Sequence, residues 1–194
     1  NKENNLKNRP KQLLNEQSPT VLYNAMIAPL IPYKIKGVVW YQGENNVGFP
    51  EEYGKSFPLM IDAWRNNWEQ GDFPFYYVQI APYNYNSEKD RKAAILREAQ
   101  RLTMKLANTG MVVTSDIGDI YNIHPANKKD VGKRLSLWAL NKNYGFNNLV
   151  YSGPLYKNIN IEGNTIKVYF ENIGSGLYSE DRILTFFEIS GKEG

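Results

Sequence analysis

The chain has 194 residues, enough for one domain with a sizeable core, and its 42% hydrophobic and 22% charged content suits a folded rather than a disordered protein. Its 23 basic and 20 acidic residues are interspersed and leave a net charge of +3 with no basic run, which gives no case for a nucleic-acid partner. The lack of cysteine excludes disulfides, thiolate metal sites and a cysteine nucleophile, and no apolar stretch reaches the ~20 residues needed to span a bilayer.

Residues 1–17 are polar, begin without methionine, and read as a linker or frayed end in the middle of a longer protein. Ser18 followed by Pro19 predicts a helix start, a capping hydroxyl before a proline at the first helical position, with a stop near Pro29 and Pro32. Residues 35–41 form a short apolar, β-branched run that suits a buried strand. Tyr53, Phe57, Met60, Ile61, Trp64 and Trp68 then recur at helical spacing, and Pro58 is expected to bend or restart that helix. A second buried strand is predicted over 75–81, the clearest helix over 87–106, and a third strand over 111–114. Val131, Leu135, Trp138 and Ala139 mark one more amphipathic helix.

Strands alternating with helices predict a parallel sheet covered on both faces. From about residue 149 the texture changes. Runs at 158–161 and 165–170 flank Glu162-Gly163-Asn164 as a hairpin, and a further strand is expected over 183–189. The division is therefore a linker over 1–17, an α/β body over 18–148, and a small β appendage over 149–194 that reads as truncated.

Ligands of open parallel sheets bind where the loops leave the carboxyl ends of the strands. Three loops are expected there: residues 42–46, residues 82–86, and residues 115–125, the last containing Asp116, Asp119, Asn122 and His124. His124 is the one histidine in the chain, and imidazole is the side chain whose ordinary pKa suits proton shuttling near neutrality. It lies between a strand and a helix with carboxylates upstream, which makes it a candidate base; a surface histidine before Pro125 is the competing reading. One histidine without cysteine argues against a metal site. Gln42, Gly43 and the residues after them supply amide donors beside a glycine, a composition able to hold a developing oxyanion, although a plain polar turn has the same composition. No cofactor is called for.

Residues 22–30 (Leu-Tyr-Asn-Ala-Met-Ile-Ala-Pro-Leu) and 37–46 (Gly-Val-Val-Trp-Tyr-Gln-Gly-Glu-Asn-Asn) closely resemble the sialate O-acetylesterase family. So do Leu96-Arg97-Glu98-Ala99-Gln100, Ile123-His124-Pro125 through Arg134-Leu135, Tyr151-Ser152-Gly153-Pro154 and Phe170-Glu171-Asn172. The resemblance covers nearly the whole chain from Ser18. It implies a flavodoxin-like (SGNH hydrolase) fold, a three-layer parallel sheet incomplete at its amino-terminal side, and removal of acetyl groups from sialic acids or polysaccharides. His124 is then the implied general base, Gln42 and Gly43 oxyanion-loop positions, Glu44 and Asn46 shapers of the same pocket, and Arg97 a structural partner of that loop.

Two departures stand out. The Gly-Gln-Ser-Asn-type block that carries the family's nucleophile is absent from these residues, so the serine is expected in a preceding part of the protein. Related SGNH enzymes place an aspartate three residues before the histidine, and that position is Tyr121 here. The orienting acid is therefore open between Asp119 and Asp116, or a backbone carbonyl takes the role in a Ser–His dyad. The expected partners are an acetylated glycan, the preceding part of the same protein, and a second copy through an open sheet edge. The expected location, by resemblance, is secreted or periplasmic. The competing function is a non-catalytic carbohydrate-binding module that stacks sugars on its aromatic side chains.

Overall fold

The computed structural model describes residues 15, 18–85, 87–179 and 187–191. Its centre is a sheet of three parallel strands in the order β1 (Val38–Trp40), β2 (Phe75–Val78), β3 (Thr109–Val112). Helix α1 (Pro50–Trp68) connects the first two strands and α2 (Ser87–Thr103) the second pair, while α3 (Lys128–Asn143) follows β3. A hairpin of β4 (Leu155–Glu162) and β5 (Thr165–Glu171) forms a separate antiparallel sheet.

Alternation along β2 explains the layers. Phe75 and Tyr77 face α1 and α2 and join Tyr53, Phe57, Ile61, Trp68, Leu96 and Met111 in the larger core. Tyr76 points the other way, with Val112, onto Trp138 of α3. Gly110 lets that helix settle on the strand, because a Cβ there would lie 2.5 Å from the Trp138 ring. The Trp138 indole N–H also donates to the Met111 carbonyl at 3.1 Å. The mixed α/β sandwich with a parallel sheet is thus the expected class.

The sheet differs from the sequence expectation mainly in where strands end, and side chains are the reason. The stretch 35–41 contributes only Val38–Trp40, since the Ile35 N–H and carbonyl are taken by the Gln70 side chain at 3.1 and 2.8 Å. The strand ends at Val78, the Gln79 N–H makes a last bond to the Val112 carbonyl at 2.9 Å, and residues 80–81 leave the ladder. There, the Ile80 N–H donates to Gln100 Oε1 and the Ile80 and Ala81 carbonyls accept from Arg97. The third strand starts two residues earlier than expected, with Thr109 opposite Phe75.

Two helix expectations need correction. α1 does not restart at Pro58 but continues through it from Pro50 to Trp68. An interior proline costs ~3 kcal/mol, but burying Phe57 and Ile61, at 3% and 0% exposure, contributes about as much again as that penalty. Tertiary packing therefore outweighs the local break. At the first helix, the Ser18 hydroxyl does not cap. It accepts from the Asn15 N–H and donates to Asn15 Oδ1, while Thr20 takes a left-handed φ of 67°. The following segment is an irregular π-type turn, Tyr23–Ile27, and a 3₁₀ turn, Ala28–Leu30, which does end before Pro32.

In the hairpin, Glu162 pairs with Thr165 across a two-residue loop whose first position, Gly163, has φ 60°. That backbone favours glycine, as expected for a tight hairpin. The linker over 1–17 lies outside the described residues apart from Asn15, and the strand expected over 183–189 lies largely outside them.

Candidate functional site

All three strands run the same way, so the loops after β1, β2 and β3 emerge on one edge. These loops are stitched to one another. The Asn84 N–H donates to the Ile120 carbonyl at 2.9 Å, tying the second loop to the third. Gly118 lies so close over the second loop that a Cβ would fall 2.3 Å from the Pro82 ring. Lys128, which opens α3, places its ammonium 4.6 Å from the centroid of the Tyr41 ring, joining the third loop to the first.

The loop bearing Gln42, Gly43, Glu44 and Asn46 is the most tightly built. Gln42 Nε2 donates to Asn46 Oδ1 at 2.6 Å, which leaves the Asn46 amide N–H groups to point elsewhere. The Gln42 carbonyl accepts from the Tyr53 hydroxyl at 3.2 Å and from Gln100 Nε2 at 3.5 Å. Gly43 has φ 152°, and a Cβ there would sit 2.8 Å from Ile80 and 3.3 Å from the Gln100 amide. Gly43→Ala should accordingly lower the stability of the chain by ~1–3 kcal/mol. Urea denaturation checks this, and an unchanged midpoint would mean the loop relaxes freely.

Glu44 is half-buried, and its carboxylate acts electrostatically on Tyr41, Tyr53 and Tyr85. Burial pushes the Tyr53 phenol up to about 12, and the Glu44 carboxylate adds to the effect, so Tyr53 stays a hydrogen-bond donor to the Gln42 carbonyl. Tyr41 and Tyr85 are raised by the same two causes, burial first. Their hydroxyls, and the indole N–H of Trp40, are buried without a hydrogen-bond partner among the described residues.

His124 is exposed, and its ring makes no hydrogen bond among the described residues. Its backbone N–H donates to Asn122 Oδ1 at 2.9 Å, Pro125 behind it is buried, and Asn127 caps α3 through the Asp130 N–H. Neither candidate acid reaches the imidazole. Asp119 accepts from the Tyr121 N–H at 2.9 Å in a local turn. Asp116 is gripped through both oxygens by Arg134, whose guanidinium holds the carboxyl below its ordinary range and also donates to the Val113 carbonyl. Asp116 thus braces the start of the histidine loop.

The partnership expected of Arg97 is also different. Its guanidinium, with a pKa pulled down by burial, donates to the Ile80 and Ala81 carbonyls on the second loop, and not to the loop around Gln42. One turn further along α2, Gln100 does that work. Fully buried, it touches the Val78 carbonyl, the Ile80 N–H and the Gln42 carbonyl. Gln100 was not a sequence candidate, yet its signal was present. It is a polar residue four positions after Leu96, on the face of α2 that carries the apolar side chains.

The fold and this edge define the class first. The structure is similar to the crystal structure of a carbohydrate acetylesterase from Xanthomonas citri, with a TM-score of 0.75 and 42% identity, covering 80% of this chain and 37% of that one. That likeness places it among the SGNH-type α/β folds. The family model for carbohydrate esterases described as sialic acid-specific acetylesterases matches residues 11–140. Sialate O-acetylesterase from Rattus norvegicus is 38% identical over 160 residues, covering 73% of this chain and 30% of its own length. The Homo sapiens protein of the same name is 36% identical, covering 73% and 31%. The chain belongs to the sialic acid-specific acetylesterase family of carbohydrate esterases. It spans about a third of the length of these relatives.

Proposed function

We propose that this chain supplies the histidine side of a carbohydrate O-acetylesterase site, whose nucleophilic serine lies in another part of the same protein. The observation that carries the reading is the convergence of the Gln42 loop and the His124 loop on one edge of a parallel sheet. In this mechanism the serine hydroxyl attacks the acetyl carbonyl as His124 takes its proton. The oxyanion that forms is met by N–H donors of the Gln42–Gly43 backbone and of the Asn46 amide. Collapse expels the sugar hydroxyl, which receives the proton from His124. Water, activated by the same imidazole, then releases acetate from the serine. The acyl carrier is an acetylated sialic acid or polysaccharide, and the setting is secreted or periplasmic.

The outer edge of β1 supports a partner strand from the rest of the protein. No strand pairs with it among the described residues, and Val39, 68% exposed, is left bare on the face where α3 covers its neighbour Tyr76. Such an edge invites another chain, so the isolated segment is expected to self-associate. The binding-module alternative loses its best stacking groups, because all four tryptophans pack into the two cores.

The test compares the full-length protein with the 194-residue chain on 4-nitrophenyl acetate, and maps the serine labelled by a fluorophosphonate. Turnover is expected from the full-length protein alone, with the label outside residues 18–191. Turnover by the chain itself, lost on labelling Ser115, would place the nucleophile in the histidine loop instead.

A further inference from the structure

We infer that Lys128 and Tyr41 form a clamp that positions His124 for proton transfer, a role that rests on the esterase reading above. The His124 ring has no hydrogen bond among the described residues, so its place depends on how the backbone is held on either side. Upstream, the loop is fixed to the second loop by the Asn84–Ile120 hydrogen bond and by the close approach of Gly118 to Pro82. Downstream, the contact that reaches across to the first loop is the Lys128 ammonium over the Tyr41 ring. Tyr41 immediately precedes Gln42, whose carbonyl is fixed by Tyr53 and Gln100. The clamp therefore references the base to the oxyanion loop, four residues from the imidazole on one side and one from Gln42 on the other.

Helix energetics do not call for a lysine here. A cation in the first turn of a helix opposes the macrodipole, and the ring face offers Lys128 a compensating attraction. Lys129, the next residue, is an exposed cation in the same turn without a ring contact among the described residues, which makes it the natural control. A base displaced by about 1 Å can lose on the order of 10²-fold in rate, so the clamp does not need to be strong to matter.

In the full-length protein, Lys128→Gln and Tyr41→Leu should each lower kcat by ~10-fold or more with KM within about 2-fold, because sugar binding is untouched. Lys128→Arg and Tyr41→Phe keep cation and ring, and Lys129→Gln removes a charge from the same turn; these three should stay within about 2-fold of wild type. The double variant Lys128→Gln/Tyr41→Leu should be no slower than its worse single, as two halves of one contact require. Amide hydrogen exchange in the full-length protein supplies a readout independent of catalysis. Residues 115–127 should exchange faster in Lys128→Gln and not in Lys129→Gln. Equal behaviour of those two variants in both assays overturns the clamp. His124→Ala separates the two claims: wild-type turnover in it overturns the esterase reading and the proposal together. An inactive His124→Ala beside a fully active Lys128→Gln overturns the clamp alone.

Discussion

Replacing His124 by alanine in the full-length protein should lower the turnover of an acetyl ester by ~10³-fold or more, with little change in KM and none in thermal stability. The imidazole is exposed and makes no hydrogen bond among the described residues, so the fold gives up nothing when it is removed. A serine without its base, by contrast, is left with a hydroxyl that is almost wholly protonated at neutral pH. On the proposed mechanism the loss falls on kcat, because the imidazole would meet the serine and the leaving oxygen rather than the body of the sugar. Steady-state kinetics on 4-nitrophenyl acetate, with circular dichroism of both proteins, reads the result. Activity within a few-fold of wild type would assign the proton to another residue. Asp116→Asn and Asp119→Asn extend the same experiment. Arg134 already occupies both oxygens of Asp116, so this variant should cost less than tenfold. A loss above ~10²-fold in Asp119→Asn would make it the orienting acid, and small effects in both favour a Ser–His dyad.

The class of fold was legible because its causes are local and periodic. Short apolar runs alternate with stretches of helical spacing, and that rhythm permits few architectures other than a parallel sheet with helices on both faces. The three loops were legible for the same reason, since polar residues gather where strands end. What the sequence hid was decided by pairs of residues far apart along the chain. The ends of β1 and β2 are set by Gln70 and Gln100, which lie 35 and 20 residues from the backbone groups they bind. Pro58 stays inside α1 because the side chains around it are buried, a consequence of tertiary packing that no local propensity contains. The assignment of Arg97 to the Gln42 loop failed by one helical turn. Residues 97 and 100 both face the loops, and only the register of α2 against the sheet decides which of them reaches which. Lys128 and Tyr41, 87 residues apart, carry no sequence signal that would pair them.

The opposite edge of the sheet has its own organiser, and its removal should cost more stability than any change at the site. Arg65, in the last turn of α1, is 5% exposed. Its guanidinium donates to the Phe73 carbonyl at 2.9 and 3.2 Å, to the Ala107 carbonyl at 2.8 Å and to the Asn108 carbonyl at 3.4 Å. Those carbonyls belong to the segments that enter β2 and β3, so one side chain holds both strands in register at their amino ends. Asp72, 4.0 Å away and 64% exposed, adds little, because solvent screens so exposed a pair. Arg65→Met keeps most of the volume of the stem and removes every donor, leaving the Phe73 and Ala107 carbonyls without the guanidinium in a part-buried setting. Hydrogen bonds to a charged group contribute ~1.5–3 kcal/mol each, so a loss of about 3 kcal/mol or more is expected. For a chain of this size that corresponds to a fall in Tm of roughly 6–12 °C. Arg65→Lys should recover only part of it, since an ammonium cannot span carbonyls on two different segments as the planar fork does. Urea denaturation of the three proteins, with a common m-value, measures the differences. A loss below about 1 kcal/mol in Arg65→Met would show that water replaces the guanidinium at these carbonyls, and that backbone pairing from Phe75 opposite Thr109 onwards is enough to hold the register.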